Sequence, residues 1–406
     1  MSSMHHPTSL YQKLFTAATA CLLAVIPASA RDWTSADGTR TFEGGLQSYD
    51  PETGMVSVMA AGGKLMTFNE SVLSAADIAF LKEGGDVSVE LATPSSGGSS
   101  SSGAVAVGAI PDKLPDPDGK DADMSKPVKV FILMGQSNML GFGNLGQLKG
   151  IAADQYPYLV DDEGNWNVRK DVRNVFFNNG GLSHNDWMAA DNRGDKFGPD
   201  IGIGNYLGHA IDGPVMILKS CVGNRALGWD LLPPSAVGTG ANGQSYQGDS
   251  ESSNRMVKAD REGWYAGLQY DLDVGVAQDA LESLSTYYPD AKDYEVVGFF
   301  WWQGCSEGKG SVENYDKNLA FLFSDLKKDF NAPNAKFVCA TLGENDKDAT
   351  LSQKMYSFAD ADEDADVFYS KPVSKGGSCG HYSGDAETYM NVGEGMGKVM
   401  IELLAK

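Results

Sequence analysis

The residues of this 406-residue chain that are best suited to chemistry begin with a serine that follows an apolar segment. Val128–Met134 is apolar except for Lys129, the pattern of a strand buried on both faces of a parallel sheet. Gly135 then allows a sharp turn, and Ser137 follows at the carboxyl end of the strand, where open α/β sheets bind ligands. This serine is a candidate nucleophile. The alternative is an ordinary strand-to-helix turn with Ser137 as the helix N-cap.

Three further polar groups follow a predicted strand or precede the last predicted helix: Gly223-Asn224-Arg225, Gln303 and His381. Because the carboxyl ends of parallel strands share one edge, we expect these groups to converge on Ser137. Acyl transfer needs a nucleophile, a base and hydrogen-bond donors close together. An imidazole activates the hydroxyl, and fixed N–H donors stabilise the tetrahedral oxyanion.

Strand-like and helix-like segments alternate from residue 127 to residue 406, which predicts an α/β fold with a parallel sheet covered by helices on both faces. The predicted strands are Val128–Met134, Val172–Asn178, Pro214–Ser220, Glu295–Trp302 and Lys336–Thr341. The predicted helices are Ile201–Ile211, Trp264–Tyr288, Val312–Phe330, Ser352–Ala361 and Asp385–Ala405. The polar insert Ser235–Glu262 is a candidate lid, and the acidic run Ala359–Val367 is interpreted as a solvated helix end.

The N-terminus predicts a secreted or periplasmic protein. Lys13 precedes the apolar run Leu14–Ile26, and Ala28-Ser29-Ala30 fits a cleavage site, so residues 1–30 are interpreted as a signal peptide. A membrane anchor and a buried helix are the alternatives. No later apolar run is long enough to cross a membrane, so no insertion is expected after cleavage. The formal net charge of -22 argues against nucleic acid and anionic membrane surfaces as partners.

Two smaller parts precede the α/β region. Residues 31–90 contain short alternating segments and a helix-like segment, Ser74–Glu83, which predict a small SH3-like β-barrel. This pattern resembles the SLA1-homology-1-like modules of secreted bacterial hydrolases, and the sequence does not identify a partner for it. Residues 91–126 are rich in Gly, Ser, Pro and Asp and predict a linker.

Several sequence blocks are similar to those of one enzyme family. They are GQSNM at 135–139, FGPDIGIGNYLG at 197–208, KSCVGNRALGWDLLPP at 219–234, WWQGCSEG at 301–308 and the segment around His381. These blocks resemble the carbohydrate esterases of the sialate O-acetylesterase and acetylxylan esterase type, within the SGNH hydrolase superfamily. The resemblance implies a flavodoxin-like three-layer α/β/α domain over residues 127–406. It also implies removal of O-acetyl groups from carbohydrates through an acyl-enzyme, with no cofactor and no metal.

The same resemblance assigns roles to individual residues. Ser137 would be the nucleophile and His381 the general base. The backbone N–H groups of Ser137 and Gly223, together with the side-chain amide of Gln303, would form the oxyanion hole. The candidate substrate-binding residues are Gln136, Asn138, Asn224 and Arg225. Arg225 could bind a sugar carboxylate, and the alternative is pairing with an internal acid such as Asp230.

The sequence does not decide which residue is the third member of a catalytic triad. Ser378 stands where many SGNH enzymes carry Asp three residues before the histidine, and Cys305 stands where relatives often carry Glu. Glu307 is the first candidate for the acid and Asp385 is the second. A Ser–His dyad is the third possibility.

Cysteines and tryptophans also lie beside the proposed site. Cys305 and Cys379 flank it, which predicts a disulfide between them, the alternative being two buried thiols. Cys221 and Cys339 are expected in the core. Trp301-Trp302 is interpreted either as a sugar-stacking platform or as core.

Two other functions compete with a carbohydrate esterase. A glycan-binding protein on a decayed esterase scaffold would explain the missing acid before His381. A lipid esterase is the other, and the polar composition of the insert argues against it.

Overall fold

The structure is a computed structural model that describes residues 31–36, 38, 40–50, 55–60, 64–82, 105–111, 113–239, 245–247 and 265–406. The chain divides into two compact units, Met1–Ser96 and Gly97–Lys406, which are described separately. The predicted signal peptide and most of the predicted lid lie outside the described residues. Within the described ranges, no helix has the length and apolar character needed to span a bilayer.

The first unit contains an antiparallel sheet whose strands pair in chain order. The strands are β1 (Arg31–Thr34), β2 (Thr41–Asp50), β3 (Met55–Ala60) and β4 (Lys64–Asn69), followed by helix α1 (Ala75–Lys82). Trp33 and Val58 of the sheet are buried together with Leu81 of the helix. Ser74 Oγ accepts the Asp77 N–H at 3.2 Å and so caps α1, as its position predicts. The SH3-like module stays a prediction.

A seven-stranded sheet forms the centre of the described part of the second unit. The strands of this unit are β5 (Val128–Gly135), β6 (Gly143–Asn144), β7 (Arg169–Asn178), β8 (Gly181–Met188), β9 (Lys196–Phe197), β10 (Val215–Ser220), β11 (Val237–Thr239), β12 (Ser245–Gln247), β13 (Tyr294–Trp302), β14 (Lys336–Ala340) and β15 (Ala365–Phe368). The order across the sheet is β15-β14-β13-β5-β10-β7-β8. All neighbours are parallel except β7 and β8. The five predicted strands are therefore confirmed.

Helices cover both faces of this sheet. They are α2 (Ser137–Leu140), α3 (Leu145–Gln155), α4 (Asp200–Ala210), α5 (Leu268–Glu282), α6 (Leu284–Tyr287), α7 (Lys309–Val312), α8 (Tyr315–Asp329), α9 (Thr350–Ala359) and α10 (Ala386–Leu404). Apolar residues of α3, α4 and α10 form one core with the sheet, and those of α5, α8 and α9 form the other. The predicted three-layer arrangement is confirmed.

The strand order differs from the flavodoxin-like order. In that order the first parallel strand lies between the second and third, whereas here β5 lies between β10 and β13. Strand β10 pairs with both β5 and β7 and so separates them. Asn179 and Gly180 both have positive φ and turn the chain from β7 into the antiparallel strand β8. Half of the residues of strand β8 are exposed and only Met188 is buried, which suits an edge of the sheet.

Two polar segments have more structure than the sequence predicted. Residues 113–126 of the expected linker belong to the second unit, with Leu114 in its core. The acidic run is only partly a helix end, because Ala365–Phe368 forms strand β15 and buries Ala365 and Val367.

Candidate active site

Ser137 lies where the central strand β5 ends. Gly135 has φ +147°, and a Cβ on it would lie 2.6 Å from the Trp302 carbonyl oxygen, so only glycine fits between the two strand ends. Ser137 is the first residue of α2 and Gln136 is the N-cap, so the interpretation of Ser137 as a helix cap is wrong. Within the described residues the Ser137 hydroxyl makes no hydrogen bond, and it stays available for chemistry.

The loop after β10 faces this serine. A Cβ placed on Gly223 would lie 3.5 Å from the Ser137 Cβ, so the two residues are neighbours across the crevice, as the sequence predicts. Asn224 is exposed and has φ +61°, which turns the loop back towards the protein. Arg225 Nε donates to Gln269 Oε1 at 2.9 Å, and this bond ties the loop to helix α5. Gly223 and Asn224 therefore border the space above Ser137.

Gln303, on the other side of β5, connects the loops of the site. Its Nε2 donates to Glu307 Oε1 at 2.8 Å, to the Arg225 carbonyl at 2.9 Å and to Gln136 Oε1 at 3.2 Å. The Tyr315 hydroxyl donates to Gln303 Oε1 at 2.7 Å. The amide hydrogens of Gln303 are thus engaged with protein acceptors. This arrangement makes Gln303 a positioning residue and not the oxyanion donor that the sequence predicted.

Glu307 is likewise engaged away from the histidine. Its carboxylate accepts from the Leu227 and Gly228 N–H groups and from Gln303 Nε2. Burial raises the pKa of this carboxyl, and hydrogen bonds from Ser311, Gln303 and the two backbone N–H groups oppose that shift. No hydrogen bond joins Glu307 to His381 in the described structure. The expected role of Glu307 as triad acid is therefore corrected: it fastens the loop after β10 to the Gln303 segment.

Gln136 and Asn138, expected to bind substrate, are buried instead, and so are Trp301 and Trp302, for which core was one of the two interpretations. Gln136 is 2% exposed, and its Oε1 accepts backbone N–H groups at 304 and 306. Asn138, Trp301 and Trp302 are each 0% exposed. Both indoles hydrogen-bond inside the core, to the Tyr315 hydroxyl and the Thr341 carbonyl. The structure therefore removes Gln136 and Asn138 from the substrate-binding set and excludes a sugar-stacking role for the tryptophans.

His381 lies in a turn that packs against α2. Its ring stacks on Phe142 with centroids 4.1 Å apart and an interplanar angle of 8°. Burial and the nearby charge of Lys196 lower the pKa of the imidazole, which favours the neutral form that a general base needs. No hydrogen bond between the His381 ring and Ser137 Oγ is formed within the described residues. Catalytic hydrogen bonds of ligand-free enzymes often tighten only when substrate binds.

The backbone around His381 is strained. His381, Tyr382 and Ser383 have φ of 53°, 52° and 53°, three consecutive left-handed residues of which none is glycine. Each such residue costs about 1–2 kcal/mol relative to a right-handed conformation. Strain of this kind persists only where surrounding contacts enforce it, and it is concentrated at functional sites.

One of those contacts is a disulfide. Cys305 and Cys379 are bonded, with Cα atoms 5.4 Å apart, which confirms the predicted pairing. Cys221 and Cys339 are buried free thiols, also as predicted. The disulfide fixes the Gln303 segment to the His381 turn, and so joins the two walls of the site covalently.

The carboxylates near the turn have structural partners. Asp385 caps helix α10, because its Oδ2 accepts from the Thr388 N–H at 2.8 Å and hydroxyl at 2.7 Å. It is therefore not bonded to His381, and the second candidate acid is also corrected. Glu344 was missed by the sequence reasoning although it follows strand β14, the position that identified the other groups. Its carboxylate accepts both the Ser378 N–H and hydroxyl.

Comparisons with known proteins agree with the sequence resemblance over part of the chain. Residues 269–402 match the family model described as "Carbohydrate esterase, sialic acid-specific acetylesterase". No curated protein sequence matches the chain.

Two solved structures are similar at low identity. One is a protein from Arabidopsis thaliana, at TM-score 0.44 and 13% identity, covering 68% of this chain and 99% of that chain. The other is a carbohydrate acetylesterase from Xanthomonas citri, at TM-score 0.43 and 16% identity, covering 66% of this chain and 55% of that chain. Likenesses at these TM-scores carry no argument about function. The family match over residues 269–402 covers less than half of the chain and includes Gln303 and His381 but not Ser137.

Proposed function

We propose that the chain is a serine esterase that removes O-acetyl groups from carbohydrates. The observation that carries the proposal is the position of Ser137. Its unbonded hydroxyl lies at the end of the central strand, with Gly223 facing it from the loop after β10. A ligand crevice is expected at this point of an open α/β sheet. The family match to residues 269–402 supports acetylated carbohydrate as the substrate class.

The reaction proceeds in two balanced steps. Ser137 Oγ attacks the acetyl carbonyl carbon while His381 takes the hydroxyl proton, and the sugar oxygen leaves with that proton. Water then attacks the acetyl-serine, His381 again accepts the proton, and acetate leaves as Ser137 recovers its hydrogen. The N–H groups of Ser137 and Gly223 are the proposed oxyanion donors, each worth about 3 kcal/mol in related sites.

Substrate contacts beyond the acetyl group fall to the loop after β10. Asn224 is exposed and Arg225 is half-buried, and both directly follow Gly223, which faces Ser137. Carbohydrate bound there would place its acetyl group over Ser137. We further propose that residues 1–30 direct the protein out of the cytoplasm, because their sequence has the three parts of a signal peptide. Sialate-type and xylan-type acetyl sugars are both candidate substrates.

The test compares Ser137→Ala with the unchanged protein on p-nitrophenyl acetate and on O-acetylated sugars. We expect the variant to lose roughly 10³-fold or more in kcat, because the acyl-enzyme can no longer form. Ser285→Ala is the matched control, since Ser285 is an exposed serine on α6.

Equal rates for Ser137→Ala and the unchanged protein would refute the proposal. A second candidate function, glycan binding without hydrolysis, is favoured by one observation: no described carboxylate is hydrogen-bonded to His381. Retention of acetylated glycan by a protein that does not hydrolyse it would support that alternative.

A further inference from the structure

The left-handed turn at residues 381–383 needs contacts that hold it in place. A local chain left to itself would relax three such residues to right-handed conformations. The disulfide fixes the turn at Cys379, two residues before His381. A second set of contacts comes from the loop after strand β14, the neighbour of β13 in the sheet.

This loop holds the turn at two points. Glu344 Oε2 accepts the Ser378 N–H at 2.9 Å, and Glu344 Oε1 accepts the Ser378 hydroxyl at 2.5 Å. The adjacent Gly343 N–H donates to the Tyr382 hydroxyl at 3.0 Å. Ser378 and Tyr382 are buried, whereas Glu344 itself is exposed, so the Gly343–Tyr382 bond is shielded from water and the two Glu344–Ser378 bonds are partly shielded. His381 lies between the two points.

Glu344 also lies close to the disulfide. Its carboxylate lies within 4.8 Å of the sulfur atoms of Cys305 and Cys379, and the Ser378 hydroxyl is 3.1 Å from Cys305 Sγ. A bidentate carboxylate that accepts two donors from one residue fixes that residue in both position and orientation.

We propose that Glu344 is a positioning residue for His381. Its carboxylate clamps Ser378 and so holds the left-handed turn in which the imidazole is presented to Ser137. This inference rests on the proposed esterase function and extends it, because Glu344 acts on the base through the backbone of the turn and not by contact with the ring.

The experiment measures kcat and KM for p-nitrophenyl acetate with Glu344→Ala, Glu344→Gln and Asp346→Ala. Glu344→Ala should lower kcat about 10–100-fold, since small misplacements of catalytic groups have effects of this size. Its KM should stay within about threefold, because Glu344 does not line the acetyl site. Glu344→Gln should keep most of the activity, since an amide can accept the Ser378 N–H and donate to its hydroxyl. Asp346→Ala, which removes an exposed carboxylate of the same loop paired with Lys371, should have no effect.

Labelling with an organofluorophosphate separates this inference from the proposed function. We expect Ser137 of the unchanged protein to be labelled, and Glu344→Ala to be labelled about 10-fold or more slowly, in proportion to its kcat. Absence of labelling in the unchanged protein would refute the esterase itself. Equal labelling and equal kcat in both would refute only the role of Glu344.

Folding of the variants is checked by near-UV circular dichroism. If Glu344→Ala is unfolded at the assay temperature, Ser378→Ala tests the same contact, because it removes only the hydroxyl half of the clamp. Its kcat should then fall about 3–10-fold, and an unchanged kcat would overturn the proposal.

Discussion

At the scale of single residues, the proposed mechanism depends on the charge state of His381. An imidazole can remove the Ser137 proton only while it is neutral. Burial lowers the pKa of His381 below its ordinary value of 6.5, and the positive charge of Lys196 lowers it further. Lys196 Nζ also lies 4.9 Å from the Phe142 ring on which His381 stacks. The base is therefore kept neutral by its surroundings and needs no carboxylate to be in the active form.

Replacing Lys196 by methionine removes the charge while keeping an unbranched apolar chain. The pKa of His381 should rise, because imidazolium is no longer opposed by a neighbouring cation. The acid limb of the kcat/KM–pH profile should move to higher pH, with maximal activity within about twofold, as expected for an exposed charge. Lys398→Met, which removes a lysine stacked on Tyr206, is the control. An unchanged acid limb would contradict the prediction.

The sequence predicted the locations of the site residues better than it predicted their hydrogen-bond partners. Ser137 and Gly223 each follow one of two adjacent strands, so their closeness in space could be predicted. The bonds of Gln303 and Glu307 depend on how two loops fold against each other, and no local sequence rule specifies that. Glu344 follows the strand Lys336–Ala340, so the same rule applies to it, although it was not among the predicted site residues.

At the scale of elements, the junction between β5 and α2 positions the nucleophile. Gly135 ends the strand, Gln136 occupies the N-cap position without a side-chain capping bond, and Ser137 begins the helix. The close approach of the β13 carboxyl end to Gly135 leaves no room for a side chain. Local conformation and tertiary packing therefore require the same residue type at this position.

Gly135→Ala should destabilise the protein by about 2–4 kcal/mol, because it adds a backbone overlap to an unfavourable positive φ. The measurement is urea unfolding followed by fluorescence. Gly150→Ala is the control, since Gly150 lies in helix α3 with open space around its Cα. That substitution should stabilise the protein by about 0.5–1 kcal/mol. Equal stability of Gly135→Ala and the unchanged protein would contradict the structure of the junction.

Most elements of the second unit were predictable because their hydrophobic patterns are strong. The hairpin β7–β8 was missed, although Asn179-Gly180 is a strong turn signal, because strand β8 is largely polar. Strand β15 was missed because its acidic surroundings obscured the alternation of Ala365 and Val367 with more exposed residues. Edge strands carry weaker patterns than central ones, and both omissions lie at sheet edges.

At the scale of the whole molecule, a buried carboxyl links folding to pH. Asp273 is 0% exposed and receives hydrogen bonds on Oδ1 from the Ser220 hydroxyl and Gln269 Nε2, each within 2.9 Å. Its Oδ2 has no partner among the described residues. Burial raises the pKa of Asp273 from 3.8 to about 7. The folded protein therefore holds a proton that the unfolded chain releases, and stability is lost as pH rises from about 4 through about 7.

Asp273→Asn should remove this loss of folding stability at higher pH, because an amide cannot ionise. The variant should match the unchanged protein at pH 4, where both side chains are neutral in the folded state. At pH 8 it should be more stable by about 1–4 kcal/mol, since each pKa unit corresponds to about 1.4 kcal/mol. Urea unfolding at the two pH values measures the difference, with the exposed Asp290→Asn as control. A gain of the same size at both pH values would contradict the prediction.

Because of the disulfide between Cys305 and Cys379, the activity of the protein depends on the compartment in which it is oxidised. It joins positions 74 residues apart, one in each wall of the crevice, and it forms only under oxidising conditions. If the chain is exported, as we propose, a newly made copy in the reducing cytoplasm lacks this link and presents its histidine turn loosely. The link then forms after translocation, so the enzyme would mature in the compartment that holds its substrate and stay largely dormant before reaching it.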